Sequence, residues 1–289
     1  MKTLSETQML VHACIACQSL IDSKAVREVH TFVPGFNGGF IRCKACGTEV
    51  VAPAVDTDRL YASRDTSTNY PKSRGLIVSI KKFLLTRVAD RLLGNHRLDC
   101  SVLDFGCGGG ELANAICSMG FADTCASDVQ VNRPPTLASA VRYVPVSELN
   151  HTYAYDVILM RHVLEHLPNP VSVLKQLRSS LKPGGLIIVE VPSAASTWKR
   201  LMGTLWTGYF YPYHIAVFSE VGLRHIFSRS GLDVVSVKRV EPPIFGVFLM
   251  ALGVPRGAAR ILSAVLYPVQ WTVSKFTRAS EALLFVVRV

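Results

Sequence analysis

From Ser101 onward the apolar positions switch back and forth between two rhythms. SVLDFG (101–106) is an apolar run closed by glycine, the pattern of a buried strand ending in a tight turn. ELANAICSMG (111–120) follows with apolar positions at helical spacing. The alternation continues. DTCASD (123–128) and RYVPV (142–146) predict a second and a third strand, YDVILM (155–160) a fourth, and residues 170–181 a helix. GGLIIVEVP (184–192) predicts a fifth strand, SEVGLRHIFSRSG (219–231) a helix ended by Gly231, and LDVVSVKRV (232–240) a sixth strand. The tail LLFVVRV (283–289) predicts a last strand, antiparallel beside the sixth. Strands alternating with helices require a mainly parallel sheet covered on both faces, here of seven strands.

This pattern divides the chain. Residues 1–60 hold paired cysteines and turn-rich stretches such as PGFNGG. Residues 61–98 form a connector, 99–240 the α/β core, 241–280 a hydrophobic insertion, and 281–289 the last strand. Between Lys72 and Arg97 the connector carries seven Lys or Arg and one Asp, with Ile77, Ile80, Phe83, Leu84 and Val88 at helical spacing. It reads as a basic amphipathic helix, packed on the core with a solvated basic face or meeting an anionic or membrane surface. The insertion is rich in Leu, Val, Phe and Ala, with Tyr267 and Trp271 interleaved and basic Arg256, Arg260, Lys275 and Arg278. A lid over a greasy acceptor, a homodimer surface and a peripheral membrane contact all suit it.

The 289 residues, 49% hydrophobic and 18% charged, exclude extensive disorder. No run reaches 18 uninterrupted apolar residues, and MKTLSETQMLVHAC does not read as a signal peptide. No internal repeat or low-complexity tract stands out. The net charge of +10 serves solubility or attracts nucleic acid, an anionic membrane or a phosphorylated substrate. Eight cysteines in a chain of this size fit a reducing cytoplasm better than a disulfide framework.

The central chemical signal is the turn Asp104-Phe105-Gly106-Cys107-Gly108-Gly109-Gly110-Glu111 between the first strand and its helix. Glycines let the backbone turn sharply and let a ligand approach with no Cβ in the way. The second strand ends in Asp128, about twenty residues on, where an acid can accept hydrogen bonds from both hydroxyls of a ribose. A dinucleotide site or a merely structural turn would show the same two features.

Three further segments distinguish these. DFGCGGG, YDVILMRHVLEHLPNP and LKPGGLIIVEVPS, in that order, resemble the first, fourth-strand and fifth-strand motifs of the class I S-adenosylmethionine-dependent methyltransferases, over roughly 101–240. The resemblance implies a Rossmann-like fold and the methyl donor as cofactor. It implies Asp104 near the methionine amino group and Gly106, Cys107 and Gly108 in the loop along the cofactor backbone. It further implies Asp128 on the ribose, Glu148 near the adenine, and Arg161 and His162 beside the methionine moiety.

Cys14-x-x-Cys17 and Cys43-x-x-Cys46 pair thiolates in the manner of two zinc knuckles, with Gly47 easing the second turn. A closed four-cysteine zinc site is structural; reduced or redox-active cysteines are the other reading. The order of module, Tyr61…Tyr70 segment, basic helix and core is similar to bacterial small-molecule methyltransferases with an N-terminal zinc region, including those acting on nucleotide-linked deoxysugars. There the N-terminal part helps to enclose the substrate, which Tyr61 and Tyr70 would do here unless they pack on the core.

Methyl transfer asks chiefly for alignment, and sometimes for a base. Tyr211-Pro212-Tyr213-His214 follows the fifth strand. Tyr211 and His214 match the outer positions of the Tyr-His-Glu-His run of the sugar enzymes, while Pro212 and Tyr213 depart from it. His214 is the candidate base, with Tyr211 and Tyr213 beside it; a packed histidine is the alternative. His162 and His166 read as structural or cofactor-adjacent and Glu165 as a local anchor. A nucleic-acid methyltransferase is disfavoured: the fourth strand ends in Met-Arg-His-Val, not in an Asn/Asp-Pro-Pro-aromatic turn, and no Pro-Cys pair supplies a nucleophile. A non-catalytic scaffold on a relic fold remains a further alternative. The expected partner is a small acceptor, phosphorylated or sugar-linked, methylated on carbon, oxygen or nitrogen, in the cytoplasm or at the inner face of the membrane.

Overall fold

The computed structural model describes residues 12–21, 26–31, 36–56, 60, 76–149, 154–277 and 280–289. Tyr61 and Tyr70, and the start of the basic segment, lie outside the described residues.

The core strands are β6 (Val102–Phe105), β7 (Thr124–Ser127), β8 (Arg142–Tyr143), β9 (Tyr155–Arg161), β10 (Leu181–Pro192), β12 (Asp233–Val240) and β13 (Ala282–Arg288). They form one seven-stranded sheet in the order β12-β13-β10-β9-β6-β7-β8. Pairing is parallel from β10 through β9, β6 and β7 to β8, and only β13 runs antiparallel to its neighbours. The Rossmann-like, mainly parallel sheet is therefore as the hydrophobic rhythm predicts.

The helices are α1 (Leu76–Leu93), α2 (Glu111–Ser118), α3 (Pro170–Ser180), α4 (Thr197–Met202), α5 (Glu220–Arg229), α6 (Phe245–Ala251) and α7 (Arg256–Thr277). Strand alternation feeds two core layers. Val157 and Leu159 of β9 pack with Leu92 and Leu93 of α1 and Leu112 and Ile116 of α2. Ile158 and Met160 pack with Leu174 and Leu177 of α3 and Leu223, Ile226 and Phe227 of α5. Side chains of successive strand residues point to opposite faces, so each strand serves both layers. In α1 the packed stripe is Leu85, Val88, Ala89, Leu92 and Leu93. The predicted stripe misplaced two residues, since Phe83 and Leu84 face solvent.

The N-terminal residues make small strands β1 (His12–Ala13), β2 (Leu20–Ile21), β3 (Arg27–Glu28), β4 (Gly39–Arg42) and β5 (Glu49–Ala52). A strand from the core segment, β11 (Ala216–Val217), pairs with β5 and completes a four-stranded sheet β11-β5-β4-β3. Two residues are too few to advertise themselves by alternation, so this stitch between module and core has no sequence signature.

Helix α5 is the docking strut. Ser219 caps it, its Oγ accepting from the Gly222 amide at 2.9 Å and donating to the Cys46 carbonyl. Arg229 at its far end donates to the Ala16 carbonyl at 2.9 Å. A Cβ at Gly222 would lie 2.0 Å from Thr48 Oγ1 and 3.2 Å from Ala16 Cβ, so only glycine admits the module this close.

Within the predicted insertion, Phe245–Ala251 and Arg256–Thr277 form α6 and α7, packed on each other. Among the described residues, no helix is long and apolar enough to cross a membrane.

Candidate functional site

The glycine loop lies at the carboxyl end of β6, where open α/β sheets place their ligand crevice. Gly106, Gly108 and Gly110 all adopt positive φ (76°, 53° and 75°). A Cβ at Gly106 would sit 2.5 Å from Val163 Cγ2, and one at Gly110 2.3 Å from Leu137 Cδ1. The loop is therefore locked by shape as well as by conformation. One strand over, the Asp128 carboxylate accepts from the Gly108 amide at 2.8 Å, which ties the loop to the end of β7.

Asp104 is buried, and its Oδ2 has no hydrogen-bond partner. Burial raises its pKa to about 7, and the nearby Asp128 charge adds to that, while the Ala113 amide and Arg161 oppose it. The buried Ser127 hydroxyl is likewise without a partner. Two carboxylates and an orphaned hydroxyl at adjacent strand ends are an arrangement completed by a cationic, hydroxyl-bearing ligand. Cys107 sits in the same loop. Burial, Asp104 and Asp128 all push its thiol up, so it is a neutral wall and not a nucleophile. Glu148 is exposed in the short turn Val146–Glu148, which is tethered to the site where the Val146 amide donates to the Asp128 carbonyl at 2.9 Å.

At the end of β9, Arg161 donates through Nε to Glu190 Oε1 at 3.2 Å. Arg91 of α1 holds the other oxygen of Glu190. Glu190 is buried in β10 and was not singled out from the sequence. Its signal was a lone charge inside the apolar run LIIVEVP. His162 follows Arg161 with φ +53°, a strained value for a residue with a Cβ.

That turn feeds a polar cluster. Glu165 is fully buried; Oε1 lies 3.3 Å from His162 Nδ1 and 3.9 Å from His214 Nε2. Burial alone would raise its pKa, but the bond from His162 and the three surrounding histidines hold it at about 2. The His214 and His166 rings meet edge to face with centroids 4.7 Å apart. His214 Nδ1 donates to the Gly208 carbonyl at 2.7 Å, which leaves Nε2 as the acceptor nitrogen. Burial lowers His214 to about 3, so its ring is neutral at physiological pH. His166 Nδ1 donates to the Tyr213 carbonyl at 2.9 Å.

Of the three residues predicted around the acceptor, the structure brings His214 and the Tyr213 backbone into this cluster. Tyr211 is turned away: it is buried, and its hydroxyl donates to the Asn37 carbonyl of the N-terminal module at 3.2 Å.

The four predicted zinc ligands converge. Cys14 Sγ lies 3.6 Å from Cys46 Sγ and Cys17 Sγ 3.5 Å from Cys43 Sγ, and all four lie within 4.8 Å of one another. Four thiolates around tetrahedral zinc stand roughly 3.8 Å apart. The two knuckles are built alike. The Gln18 and Gly47 amides donate to the Cys14 and Cys43 carbonyls, both at 2.8 Å, and both residues have positive φ.

Beside the module a cleft of about 260 Å³ is lined by Arg42, Gly47, Ala194, Lys199, Arg200 and Ser219. Lys199 is paired with buried Glu49 at 2.7 Å. Among the described residues, Arg42 and Arg200 have no ion-pair partner. These basic residues come from two distant stretches of the chain, Arg42 in the module and the adjacent pair Lys199-Arg200 in α4, and only the fold brings the two together.

The parallel sheet, its strand order and the glycine turn at the carboxyl end of β6 define a Rossmann-like α/β protein. A family model described as a methyltransferase domain matches residues 80–237, more than half of the chain, and the chain belongs to that family. Ubiquinone biosynthesis O-methyltransferases are similar to it. That of Serratia proteamaculans is 37% identical over 97 residues, 30% of this chain and 40% of the relative. That of Rickettsia bellii is 29% identical over 126 residues, 40% of this chain and 52% of the relative. The chain thus spans about half the length of these relatives, or less. The crystal structure of a Burkholderia thailandensis 1,6-didemethyltoxoflavin-N1-methyltransferase, with bound 1,6-didemethyltoxoflavin and S-adenosylhomocysteine, is similar in fold. Its TM-score is 0.52 at 18% identity, covering 91% of this chain and 99% of that one.

Proposed function

We propose that this protein transfers a methyl group from S-adenosylmethionine to a small-molecule acceptor. The observation that carries the reading is the buried Asp104 carboxyl, whose Oδ2 has no hydrogen-bond partner, beside Asp128 at adjoining strand ends, in a chain of the methyltransferase family. The residues suit the donor. Gly106, Cys107 and Gly108 would line its chain and Asp104 would take its amino group. Asp128 would take the ribose hydroxyls, with Glu148 at the adenine rim and Arg161 and His162 beside the methionine portion. When bound, S-adenosylmethionine supplies a methyl group on a sulfonium that is already an activated leaving group.

The chain's own contribution is alignment and a base. His214, neutral and held in one tautomer by Gly208, accepts the proton of an acceptor hydroxyl at Nε2. Glu165, ionised and 3.9 Å away, stabilises the imidazolium that forms. Tyr213 lends its carbonyl to His166 and so fixes that ring against His214. The names of the curated relatives support an oxygen acceptor. The guanidinium groups of Arg42 and Arg200, which have no ion-pair partner among the described residues, support an anionic, phosphorylated or sugar-phosphate acceptor. The thiolate spacing supports a structural zinc in residues 1–60, stabilising a lobe too small to build a core alone.

The test is calorimetric titration with S-adenosylmethionine, followed by transfer of labelled methyl to hydroxyl-bearing phosphorylated small molecules. Tight uptake with labelled product supports the reading. Folded protein that takes up no donor would sink it.

A further inference from the structure

Helix α7 is built inside out. Among its described side chains the buried ones are Ala259, Ser263, Gln270 and Ser274, small or polar residues. Gln270 accepts from the Ile244 amide at 3.1 Å and donates to Glu241 at 2.8 Å and to the Pro242 carbonyl at 2.6 Å. Ser274 Oγ accepts from the Trp198 indole at 3.0 Å, and Tyr267 donates to the Glu241 carbonyl at 3.0 Å. The large apolar residues Ile261, Leu262, Val265, Val269 and Phe276 point the other way. Ile261 is 68% exposed, Val265 67%, Val269 56% and Phe276 86%, with Leu262 at 42%. At 100° per residue these five fall within about 100° of arc, a continuous apolar stripe along the helix. A helix of a globular domain ordinarily buries such a stripe and leaves its polar face in water. Here hydrogen bonds anchor the polar face to the protein and the apolar face is presented outward.

The charge beside the stripe indicates what covers it. Residues 242–280 contain no Asp or Glu, while Arg256, Arg260, Lys275 and Arg278 are basic. By helical position Lys275 borders the stripe on one side, with Trp271 beyond it, and Lys275 Nζ lies 4.2 Å from the centroid of the Trp271 ring. An apolar stripe edged by Lys275 and an indole, in a segment whose only charged residues are basic, matches an interface of acyl chains beneath anionic headgroups. A second copy of this chain fits less well, because a two-fold contact brings the same patch together and no acidic residue of this segment answers the cations. We infer that the outward face of α7 docks peripherally on an anionic lipid bilayer, the helix lying in the plane of the interface.

The experiment is flotation of the full chain with vesicles of phosphatidylcholine alone and of phosphatidylcholine with about one-third phosphatidylglycerol. The expected result is co-flotation with the anionic vesicles, at least tenfold depleted on neutral ones and weakened by high salt. V265D/V269D should abolish it, with the unfolding temperature and donor uptake of wild type retained. Both substituted positions are solvent-facing, so the variant keeps the core. Absence of flotation by wild type overturns the inference, as does equal flotation on neutral vesicles or undiminished flotation of the variant. A stable dimer in sedimentation that V265D/V269D dissociates, without vesicle binding, assigns the stripe to a second copy and equally overturns it. Loss of donor uptake by wild type would bear on the methyltransferase reading alone.

Discussion

His214 Nε2 lies 3.9 Å from Glu165 Oε1, while the opposite nitrogen of the same ring donates to the Gly208 carbonyl at 2.7 Å. In the proposed mechanism this neutral imidazole, held in a single tautomer, takes one proton on Nε2, and the nearby carboxylate offsets the burial that otherwise disfavours the charged ring. The expected outcome for His214→Ala is a turnover loss of about 10²–10⁴-fold, with donor affinity near wild type. Because Nε2 faces the carboxylate, Glu165→Gln should also lower turnover. Paired kinetics and calorimetry measure this, and normal turnover in the His214 variant removes it from the chemistry.

Asp128 has one oxygen committed to the Gly108 amide. Asp128→Ala removes both that tie and the ribose acceptor. Donor affinity should fall by about tenfold or more, in line with a lost charge-assisted bond. Asp128→Asn should recover part of it, since its carbonyl still accepts from Gly108. Unchanged affinity in the alanine variant would show that the ribose lies elsewhere.

Asp104 offers a pH test. Its pKa in the folded protein is raised to about 7 from the ordinary carboxylate value near 4. Between these values the folded state holds the proton more tightly than the unfolded chain, so this group's contribution to stability falls as pH rises through 7. A cation bound beside Asp104 favours the ionised form. Donor binding near pH 6 should therefore release a proton, and affinity should rise towards pH 7 and level off above it. Calorimetry in buffers of different ionisation enthalpy reads the proton directly. A proton count of zero at pH 6 contradicts the placement.

Glu281 is buried beneath Ser196 and Trp206, whose side chains donate to it at 2.6 and 2.8 Å. Burial raises its pKa to about 8, with the Glu241 charge contributing. The sign is the same as for Asp104: stability is retained below the ordinary pKa and lost as pH rises through 8. Glu281→Gln should therefore show a flatter decline of unfolding temperature between about pH 5 and 8. A decline parallel to wild type would mean that Glu281 is not the titrating group.

One equivalent of zinc should accompany the purified protein, measurable by elemental analysis. Cys43→Ser or a strong chelator should release it and lower the unfolding temperature, because the module packs along α5 and into the core layer that α5 shares. Metal-free protein of unchanged stability would refute the structural role.

The α/β alternation, the glycine loop, Asp128 and the two Cys-x-x-Cys pairs were legible in the order of residues, because each is local. Periodicity over five to fifteen positions and spacing within one turn do not depend on what lies across the molecule. The tertiary structure alone decided the rest. It brought Glu165, His166 and His214 together and turned Tyr211 away to Asn37. It set Glu190 between Arg91 and Arg161, and required glycine at Gly222 so that Thr48 fits against α5. It also inverted α7: hydrophobic periodicity reveals that a helix has an apolar side, but which side faces the protein depends on partners such as Glu241 and Trp198. Those partners lie far away along the chain, and no local pattern encodes them.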